Sequence, residues 1–208
     1  MAKITQIDIL RHGLPEGDNC LRGHTDFVLT EQGFEQMKMA IENLNDLDCV
    51  VSSSLQRCSS FADFIAQKFT INTLHSDSWR EMNFGDWDGL TRQQLVEQLG
   101  DDIDHYWHDP WHVCEDGTAP HNGETLEQFD IRIKRAWQAL LTQHKGQKIL
   151  LVTHSGVMRQ LLRLLLEMPR NTTYLHRIHL PYAARMRITV YHDDQQDWPQ
   201  LQWPPFCD

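Results

Sequence analysis

Short runs rich in apolar residues alternate along the chain with longer segments in which apolar residues recur every three or four positions. The runs over residues 4–10, 49–51, 71–74 and 148–152 predict strands. Every position after Lys148 in the last run is apolar, which is typical of a central parallel strand covered on both faces. Residues 186–191 alternate between apolar and polar, which predicts a strand near a sheet edge or with one exposed face.

The periodic segments predict helices. We expect Thr30 to cap the first of them, which carries Phe34, Met37, Ile41 and Leu44 on one face. Further helices are expected over residues 55–69, 95–107, 125–145 and 157–166, with capping boxes formed by Thr91 with Gln94 and by Thr125 with Gln128. The alternation of strands and helices favours an α/β fold in three layers, α/β/α, around a mainly parallel sheet. The Pro-rich segment 198–205 is expected to be extended or loose.

Four chemically versatile side chains come directly or shortly after predicted strands. Arg11 and His12 come after the first strand, Arg57 comes shortly after the second, and His154 follows the run 148–152. Ligands of such sheets bind at the carboxyl ends of the strands. A guanidinium presents a fork of donors to phosphate oxygens, and an imidazole can attack phosphorus or bind phosphate as a cation. The alternative is that these residues end ordinary strands, with Arg57 as a surface arginine.

Composition narrows the classes of partner. The 208 residues suit one compact domain, alone or with a cap, and the net charge of -10 argues against nucleic acid or an anionic membrane as partner. A small anionic substrate remains open, because a local cluster of cations can override the global charge. The N-terminus has no apolar signal core and no segment is long enough to span a bilayer, so a cytoplasmic protein with reduced thiols is expected. The five cysteines, an odd number without a CxxC pair, are Cys20, Cys49, Cys58, Cys114 and Cys207.

Six motifs together resemble the histidine phosphatase superfamily, also called the phosphoglycerate mutase-like family. The resemblance runs in the right order from about residue 4 to 166, and its closest branch is that of the α-ribazole-5′-phosphate phosphatases of cobalamin nucleotide-loop assembly. The loop of residues 14–17, followed by Arg22-Gly23, favours that branch. The motifs are Arg11-His12-Gly13, Gly23 with residues 26–33, residues 52–57, residues 81–89, Gly123-Glu124-Thr125 and residues 152–156.

The resemblance implies a phosphomonoesterase in which His12 becomes phosphohistidine. The attacking nitrogen must be neutral, so the other ring nitrogen is expected to donate to a backbone carbonyl. Glu81 would protonate the leaving alkoxide and then activate water, without a metal or another cofactor. Arg11, Arg57 and His154 would bind the phosphoryl oxygens. Residues expected to line the substrate are Asn19, Arg22, Gly23 and Ser155.

The family also implies one domain over residues 1–208, with a small cap of helices and loops inserted at about residues 91–124. Many members have Glu and then Ser or Thr after Arg-His-Gly, where this chain has Leu14-Pro15, so a hydroxyl that could contact phosphate is missing. A phosphoglycerate mutase and a broad-specificity sugar or small-molecule phosphatase are the alternative functions. A non-catalytic binding protein of this fold ranks last, because all five chemical positions are filled.

Residues 101–122 allow two further interpretations. His105, His108 and His112 near Asp101 and Asp104 would suggest a metal site, but Asp109-Pro110 breaks the helix before the third histidine. Trp107 and Trp111 are expected to pack in the core or the cap, and the second hypothesis is that they stack on a flat substrate base. The side chains expected to be core, packing or surface residues are Trp79, Trp87, His121, His144, His176, His179 and His192.

Overall fold

The structure, a computed structural model, describes residues 3–17, 19–111 and 120–202. The strands are β1 Lys3–Arg11, β2 Cys49–Ser53, β3 Asn72–Ser76, β4 Lys148–Thr153, β5 Arg185–His192 and β6 Asp197–Gln202. The helices are α1 Glu31–Ala40, α2 Gln56–Phe69, α3 Arg92–Leu99, α4 Asp102–His108, α5 Leu126–Gln143, α6 Ser155–Leu165 and α7 Thr173–Arg177, with 3-10 turns at Asp77–Trp79 and Gly85–Trp87.

The strands form one sheet in the order β3-β2-β4-β1-β5-β6. The first four are parallel, whereas β5 runs antiparallel to β1, and β6 antiparallel to β5. The sheet is therefore mainly parallel, as the alternating pattern predicts. The register pairs Arg11 with Thr153, so β1 and β4 end side by side and the residues that follow them emerge at the same edge.

Strand β4 explains how the two faces of the sheet are covered. Its side chains point alternately to opposite faces. Leu150 and Val152 pack into a core cluster with residues of α1 and α2. Ile149 and Leu151 pack into a second cluster with α5 and α6. All four side chains are fully buried, which confirms the three-layer α/β/α architecture and the central, doubly covered strand.

Two helix predictions are wrong in extent. The single helix expected over residues 95–107 is two helices, because Gly100 adopts a positive φ of 57° that ends α3 before α4 begins. The first helix ends at Ala40, before Ile41 and Leu44. Both of these residues are still buried, so the apolar pattern identified core positions beyond the helix. The three caps at Thr30, Thr91 and Thr125 are confirmed.

The C-terminal part differs more from expectation. β5 is second from the edge and alternates buried and part-exposed side chains, in agreement with the prediction. The segment expected to be extended or loose from residue 198 is extended as far as Gln202, where it forms most of strand β6, while residues 203–205 lie outside the described ranges. Pro199 masks this strand in the sequence, but proline is tolerated at a sheet edge. The short helix α7 was not predicted.

The described part of the chain contains no helix with the length and apolarity needed to cross a bilayer. Cys20, Cys49 and Cys58 carry free thiols, while Cys114 and Cys207 lie outside the described residues. Burial raises the pKa of Cys49 to about 11 and that of Cys58 to about 12. These two thiols are therefore unreactive packing residues.

Candidate active site

The three residues predicted at strand ends meet at the carboxyl edge of the sheet. His12 directly follows β1, and its backbone N–H donates to the carbonyl of Thr153 at the end of β4, at 2.9 Å. His154 is the N-cap residue of α6, and Arg57 lies in the first turn of α2. His12 is 5% exposed and the other two are fully buried, so the alternative of a surface arginine at position 57 is wrong.

The ring of His12 is fixed in one tautomer. Its Nδ1 lies 2.8 Å from the carbonyl oxygen of Gly13, and because a carbonyl only accepts, Nδ1 carries the proton. The other nitrogen, Nε2, is then left with its lone pair in the neutral ring. Burial, followed by the nearby Arg57 cation, holds the pKa of His12 well below its ordinary value of 6.5. The predicted hydrogen bond to a backbone carbonyl is confirmed.

Arg57 is oriented by the backbone of the loop after β1. Its two Nη groups donate to the carbonyls of Gly23 at 2.6 Å and Thr25 at 2.9 Å. Its Nε–H is buried and has no hydrogen-bond partner among the described residues, and the same holds for the Nε–H of Arg11. Buried donors normally have a partner, so two unpaired ones beside His12 suit an oxyanion.

His154 packs edge-on against His12, with 5.2 Å between the ring centroids. Its Nε2 lies 2.8 Å from the hydroxyl oxygen of Ser53 at the end of β2. Burial and then the Arg57 cation hold the pKa of His154 well below 6.5. Both imidazoles are therefore neutral, and positive charge at the site comes from the arginines.

The Glu81 carboxylate lies at this edge of the sheet because Gly156 has no side chain that would occupy the same space. Its Oε2 accepts from the backbone N–H of Gly156 in the first turn of α6, at 2.9 Å, and its Oε1 accepts from the N–H of Met82 at 3.1 Å. A Cβ at position 156 would lie 2.1 Å from Glu81 Oε1, so only glycine permits the approach. The N-terminal end of a helix favours a negative group.

A cavity of about 350 Å³ opens beside His12, whereas Arg57 and His154 are fully buried and are not among its lining residues. Arg11, His12 and Glu81 line it beside Ser155 and Gly156. Much of its wall is apolar or aromatic. Those wall residues are Leu21, Met82, Phe84, Tyr106, Trp107, Pro110, Leu126, Phe129, Leu175 and Tyr182.

The cavity is cationic although the whole chain is acidic. Arg22 and Arg159 line it in addition to Arg11, and Glu81 is the single carboxylate among its described lining residues. The predicted lining residues Asn19, Arg22 and Ser155 do line the cavity. Gly23 does not: it is buried behind the wall and contacts Arg57 through its carbonyl.

Three lining residues were missed by the sequence reasoning. The Tyr182 ring lies 4.2 Å from the Arg11 guanidinium carbon and 5.8 Å, between ring centroids, from His12. Nothing in the local sequence marks Tyr182, because it follows no motif. Arg159 lies one helical turn beyond Ser155, and that i+4 spacing could have identified it. His176, expected to be a surface or packed residue, lines the rim and donates from Nε2 to the Trp107 carbonyl at 3.0 Å.

The tryptophans divide into two groups. Trp107 lines the cavity, whereas Trp111 does not line it and instead lies between the guanidinium groups of Arg163 and Arg170, at 5.4 and 5.3 Å. Of the two tryptophans, only Trp107 therefore remains a candidate for stacking on a substrate base. Trp79 and Trp87 are buried core residues, as expected.

The suggested metal cluster has no geometric support in the structure. Over residues 3–17, 19–111 and 120–202, no three His, Cys, Asp or Glu side chains are grouped to hold a metal ion. His105 and His108 lie on α4, and His112 lies outside the described residues.

Known proteins share this sequence pattern. The profile of the histidine phosphatase superfamily (branch 1) matches residues 7–202. The adenosylcobalamin/alpha-ribazole phosphatase of Escherichia coli is 28% identical over 180 residues, which are 82% of this chain and 83% of that protein. A bifunctional protein of Mycobacterium tuberculosis is 29% identical over 194 residues, 91% of this chain and 51% of that protein. The chain thus spans about half the length of the mycobacterial relatives it matches.

The fold is shared with solved structures as well. Mycobacterial glucosyl-3-phosphoglycerate phosphatase superimposes with a TM-score of 0.80 at 22% identity, over 97% of this chain and 98% of that one. The family profile extends from β1 to β6 and includes every strand that carries the site. From β1 to the last described strand, this chain belongs to the histidine phosphatase superfamily.

Proposed function

We propose that the chain is a phosphomonoesterase that works through a phosphohistidine on His12, with α-ribazole 5′-phosphate as its substrate. The observation that carries the proposal is the hydrogen bond from His12 Nδ1 to the Gly13 carbonyl. It leaves an unprotonated Nε2 on a buried ring that lines a cationic cavity.

In the first step, His12 Nε2 attacks phosphorus while the ester P–O bond breaks. Glu81 enters this step as the carboxylic acid and gives its proton to the departing alkoxide. In the second step, the Glu81 carboxylate takes a proton from water, the water oxygen bonds to phosphorus, and the P–N bond breaks. Inorganic phosphate leaves, and both side chains return to their starting states.

Arg11, Arg57 and His154 hold the phosphoryl oxygens throughout. Phosphoryl transfer needs mainly positioning and compensation of negative charge, which the two guanidinium groups supply. His154 contributes a neutral N–H donor in the free protein, because its pKa is well below 6.5. A bound phosphate would offset the Arg57 cation and favour the imidazolium. The arginines therefore take the charge-compensating role that a metal has in other phosphatases.

α-Ribazole 5′-phosphate combines a phosphate with a flat, uncharged aromatic base, and the cavity offers both environments. Arg11 and His12 would meet the phosphate, while Trp107, Phe84 and Phe129 provide aromatic faces for the base. The similarity to the E. coli relative named for this substrate supports the same choice.

A second candidate is a phosphatase of small phosphorylated sugars or sugar acids. Arg22 and Arg159 favour it, because these two lining cations suit a substrate with a second anionic group. The neutral base of α-ribazole 5′-phosphate makes no use of that charge.

Phosphate release distinguishes the two candidates. We would measure kcat/KM with α-ribazole 5′-phosphate, 3-phosphoglycerate and p-nitrophenyl phosphate, with His12→Ala as the control. A strong preference for α-ribazole 5′-phosphate that is lost in the variant supports the proposal. A preference for 3-phosphoglycerate, also lost in the variant, supports the second candidate. Turnover that survives His12→Ala contradicts the phosphohistidine mechanism.

A further inference from the structure

Two motif carboxylates, Asp88 and Glu124, do not line the cavity and have no part in the chemistry described above. Asp88 belongs to the motif over residues 81–89, and Glu124 to Gly123-Glu124-Thr125. Each is only partly accessible to solvent and accepts several hydrogen bonds from backbone or guanidinium groups. Their contacts lead to different parts of the site.

Asp88 binds the loop that holds Arg57. Its Oδ1 accepts from the backbone N–H of Gly23 at 2.9 Å, and its Oδ2 accepts from those of His24 and Thr25, the latter at 3.1 Å. One carboxylate thus satisfies three consecutive backbone donors. The carbonyls of Gly23 and Thr25 are the two acceptors of Arg57.

The Gly23–His24 peptide group therefore joins Asp88 directly to the phosphate-binding guanidinium, because its N–H donates to Asp88 and its carbonyl accepts from Arg57. Gly23 also has no room for a side chain, since a Cβ there would lie 2.4 Å from the Met82 carbonyl oxygen and 2.7 Å from Asp88 Oδ2. If Asp88 releases the three N–H groups, both acceptors of Arg57 are free to turn. Arg57 then loses its fixed position beneath His12.

Glu124 acts on the other side of the site through Arg132 of α5. Its two carboxylate oxygens accept from Arg132 Nη2 at 2.5 Å and Nε at 3.2 Å. Arg132 Nη1 donates to the carbonyls of Ser78 and Arg80, and Nη2 also donates to the carbonyl of Glu81, all at 3.0 Å. Every one of the five guanidinium N–H groups is used.

Glu124 also accepts from the backbone N–H of Asn83 at 2.8 Å. The segment that carries Glu81 is thus held at the Glu81 carbonyl by Arg132 and two residues later by Glu124 itself. These contacts fix the backbone from which the Glu81 carboxyl reaches the N–H of Gly156.

We propose that Asp88 and Glu124 are positioning residues with separate duties: Asp88 orients Arg57 for phosphate binding, and Glu124, through Arg132, orients Glu81 for proton transfer. The inference rests on the proposed function. Neither residue touches the substrate.

Because Asp88 and Glu124 have separate duties, the loss of activity in their variants should depend on the leaving group in different ways. Arg57 compensates charge on the phosphoryl group whatever leaves, so Asp88→Asn should slow hydrolysis of every ester alike. Formation of the phosphoenzyme needs Glu81 where an alkoxide must be protonated, as in a sugar phosphate, and little where p-nitrophenolate departs. Because kcat/KM reports the steps up to phosphoenzyme formation, Glu124→Gln should lower kcat/KM for the sugar phosphate far more than for p-nitrophenyl phosphate. Activation of water by Glu81 in the second step is common to both esters and affects kcat only.

The experiment compares kcat and KM of the full chain with ribose 5-phosphate and p-nitrophenyl phosphate, and measures competitive inhibition by inorganic phosphate. Because a misplacement of about 1 Å costs on the order of 10²-fold in rate, we expect Asp88→Asn to lower kcat/KM by about 10- to 100-fold on both esters. Inhibition by phosphate should weaken by about tenfold. For Glu124→Gln the loss should be about 10- to 100-fold on ribose 5-phosphate, below threefold on p-nitrophenyl phosphate, with phosphate inhibition unchanged.

The chain supplies a matched control for each variant. Asp86 is exposed, lies two residues before Asp88 and binds only His121 and Asn122 among its described hydrogen-bond partners. Glu127 is exposed, lies three residues after Glu124 and pairs with Arg170 at 3.2 Å. Asp86→Asn and Glu127→Gln should keep both activities within about twofold, as is usual for surface changes.

A uniform loss in Asp88→Asn together with a leaving-group-dependent loss in Glu124→Gln supports the proposal, and so does a double variant Arg57→Ala, Asp88→Asn that is no slower than Arg57→Ala alone. The same profile for both variants, or additive losses in the double variant, overturns it while leaving the phosphatase assignment intact. If Asp88→Asn shows no cooperative unfolding, Asp88→Glu takes its place, since it retains both acceptor oxygens on a longer stem. Absence of wild-type turnover on both esters and on α-ribazole 5′-phosphate would instead remove the proposed function.

Discussion

Two buried histidines lie at opposite ends of strand β1. His12 follows its last residue, whereas His192 pairs with Lys3 at its first. The ring of His192 lies between two oxygens, with Nε2 at 2.6 Å from the Thr5 hydroxyl and Nδ1 at 2.5 Å from an Asp197 carboxylate oxygen. By distance alone, this Thr–His–Asp arrangement matches a catalytic triad more closely than the site of His12 does.

The surroundings distinguish the two rings. The Thr5 side chain, which would have to be the nucleophile, is fully buried and also accepts from the N–H of Gly146, and none of the three residues lines the cavity of His12. His12, by contrast, lines a cavity near two arginines, and its Nε2 has no hydrogen-bond partner among the residues that the structure describes. Complete hydrogen bonding makes His192 a structural residue that ties β6 and β5 to β1. Reactivity requires an open partner position and access for substrate.

Replacing each of the two histidines in turn should distinguish the catalytic ring from the structural one most clearly. We expect His12→Ala to lower kcat/KM by about 10⁴-fold or more, because the nucleophile is lost. His192→Gln should keep kcat/KM within about twofold but reduce the free energy of unfolding by about 1–3 kcal/mol, since Thr5 and Asp197 lose a buried partner. Steady-state kinetics and urea unfolding of both variants measure these effects.

A large loss of turnover in a folded His192→Gln variant would reverse the assignment of the two histidines. Full activity of the His12→Ala variant would likewise contradict the assignment of His12 as the catalytic histidine.

Each of the two rings has a carboxylate near it, but the carboxylates differ in their contacts. Asp197 hydrogen-bonds to the His192 ring, whereas Glu81 does not hydrogen-bond to the His12 ring. Glu81→Gln cannot donate or accept the catalytic proton, so hydrolysis of an alkyl phosphate should fall by about 10²- to 10⁴-fold. Formation of the phosphoenzyme from p-nitrophenyl phosphate should be far less affected, and its breakdown should become rate-limiting. A burst of p-nitrophenol followed by a slow steady rate is the expected signal in stopped-flow absorbance. Equal losses in both steps for a folded variant would argue against proton transfer by Glu81.

The rings of His12 and His192 also differ in whether substrate can reach them. Replacing Trp107, which lines the cavity of His12, tests this difference. Trp107→Leu should raise KM for α-ribazole 5′-phosphate by about 5- to 10-fold through the loss of an aromatic contact of about 1 kcal/mol, with kcat retained. KM for p-nitrophenyl phosphate serves as the internal reference. Trp111→Leu is the matched variant, because Trp111 does not line the cavity, and its KM should change by less than twofold. Equal changes in the two variants would mean that Trp107 acts through packing rather than contact.

The depressed pKa values of His12 and His154 predict a smaller effect on stability. Below the ordinary pKa of 6.5 the unfolded chain takes up protons that the folded protein excludes, so the free energy of unfolding falls as pH falls. Each histidine contributes a slope that approaches about 1.4 kcal/mol per pH unit well below pH 6.5 and amounts to about 1 kcal/mol between pH 6.5 and 5.5. We expect His154→Gln to remove one such contribution between pH 6.5 and 5.5, measured by urea unfolding in phosphate-free buffer. An unchanged slope would mean that His154 is protonated in the folded protein.

The parallel half of the fold was predictable because its signals are local. The uninterrupted apolar run after Lys148 identified the central strand, and the threonine caps marked three helix starts. The edge strand β6 was not predicted as a strand, since Pro199 hides it and its pairing with β5 determines its conformation. Gly100 is a similar case, because its left-handed backbone divides a segment whose apolar spacing is helical throughout.

The residues of the site, too, were predictable where their signal is local and not predictable where the tertiary fold determines their position. His12, Arg57 and His154 could be predicted because His12 and His154 directly follow β1 and β4, and Arg57 lies in the first helical turn after β2, at the same edge of the sheet. Tyr182 and His176 could not, because they come from segments near the C-terminus that reach the cavity only through the tertiary fold. Gly23 was assigned to the cavity from its motif, although the motif reflects its contact with Arg57 instead.

Trapping of the phosphoenzyme tests the central claim most directly. The protein would be mixed with ³²P-labelled substrate, quenched and digested, and the labelled peptide identified. We predict an acid-labile, alkali-stable label on the peptide containing His12, retained in His192→Gln and absent from His12→Ala. Turnover by the wild type without any label, or a label on another residue, would contradict the account.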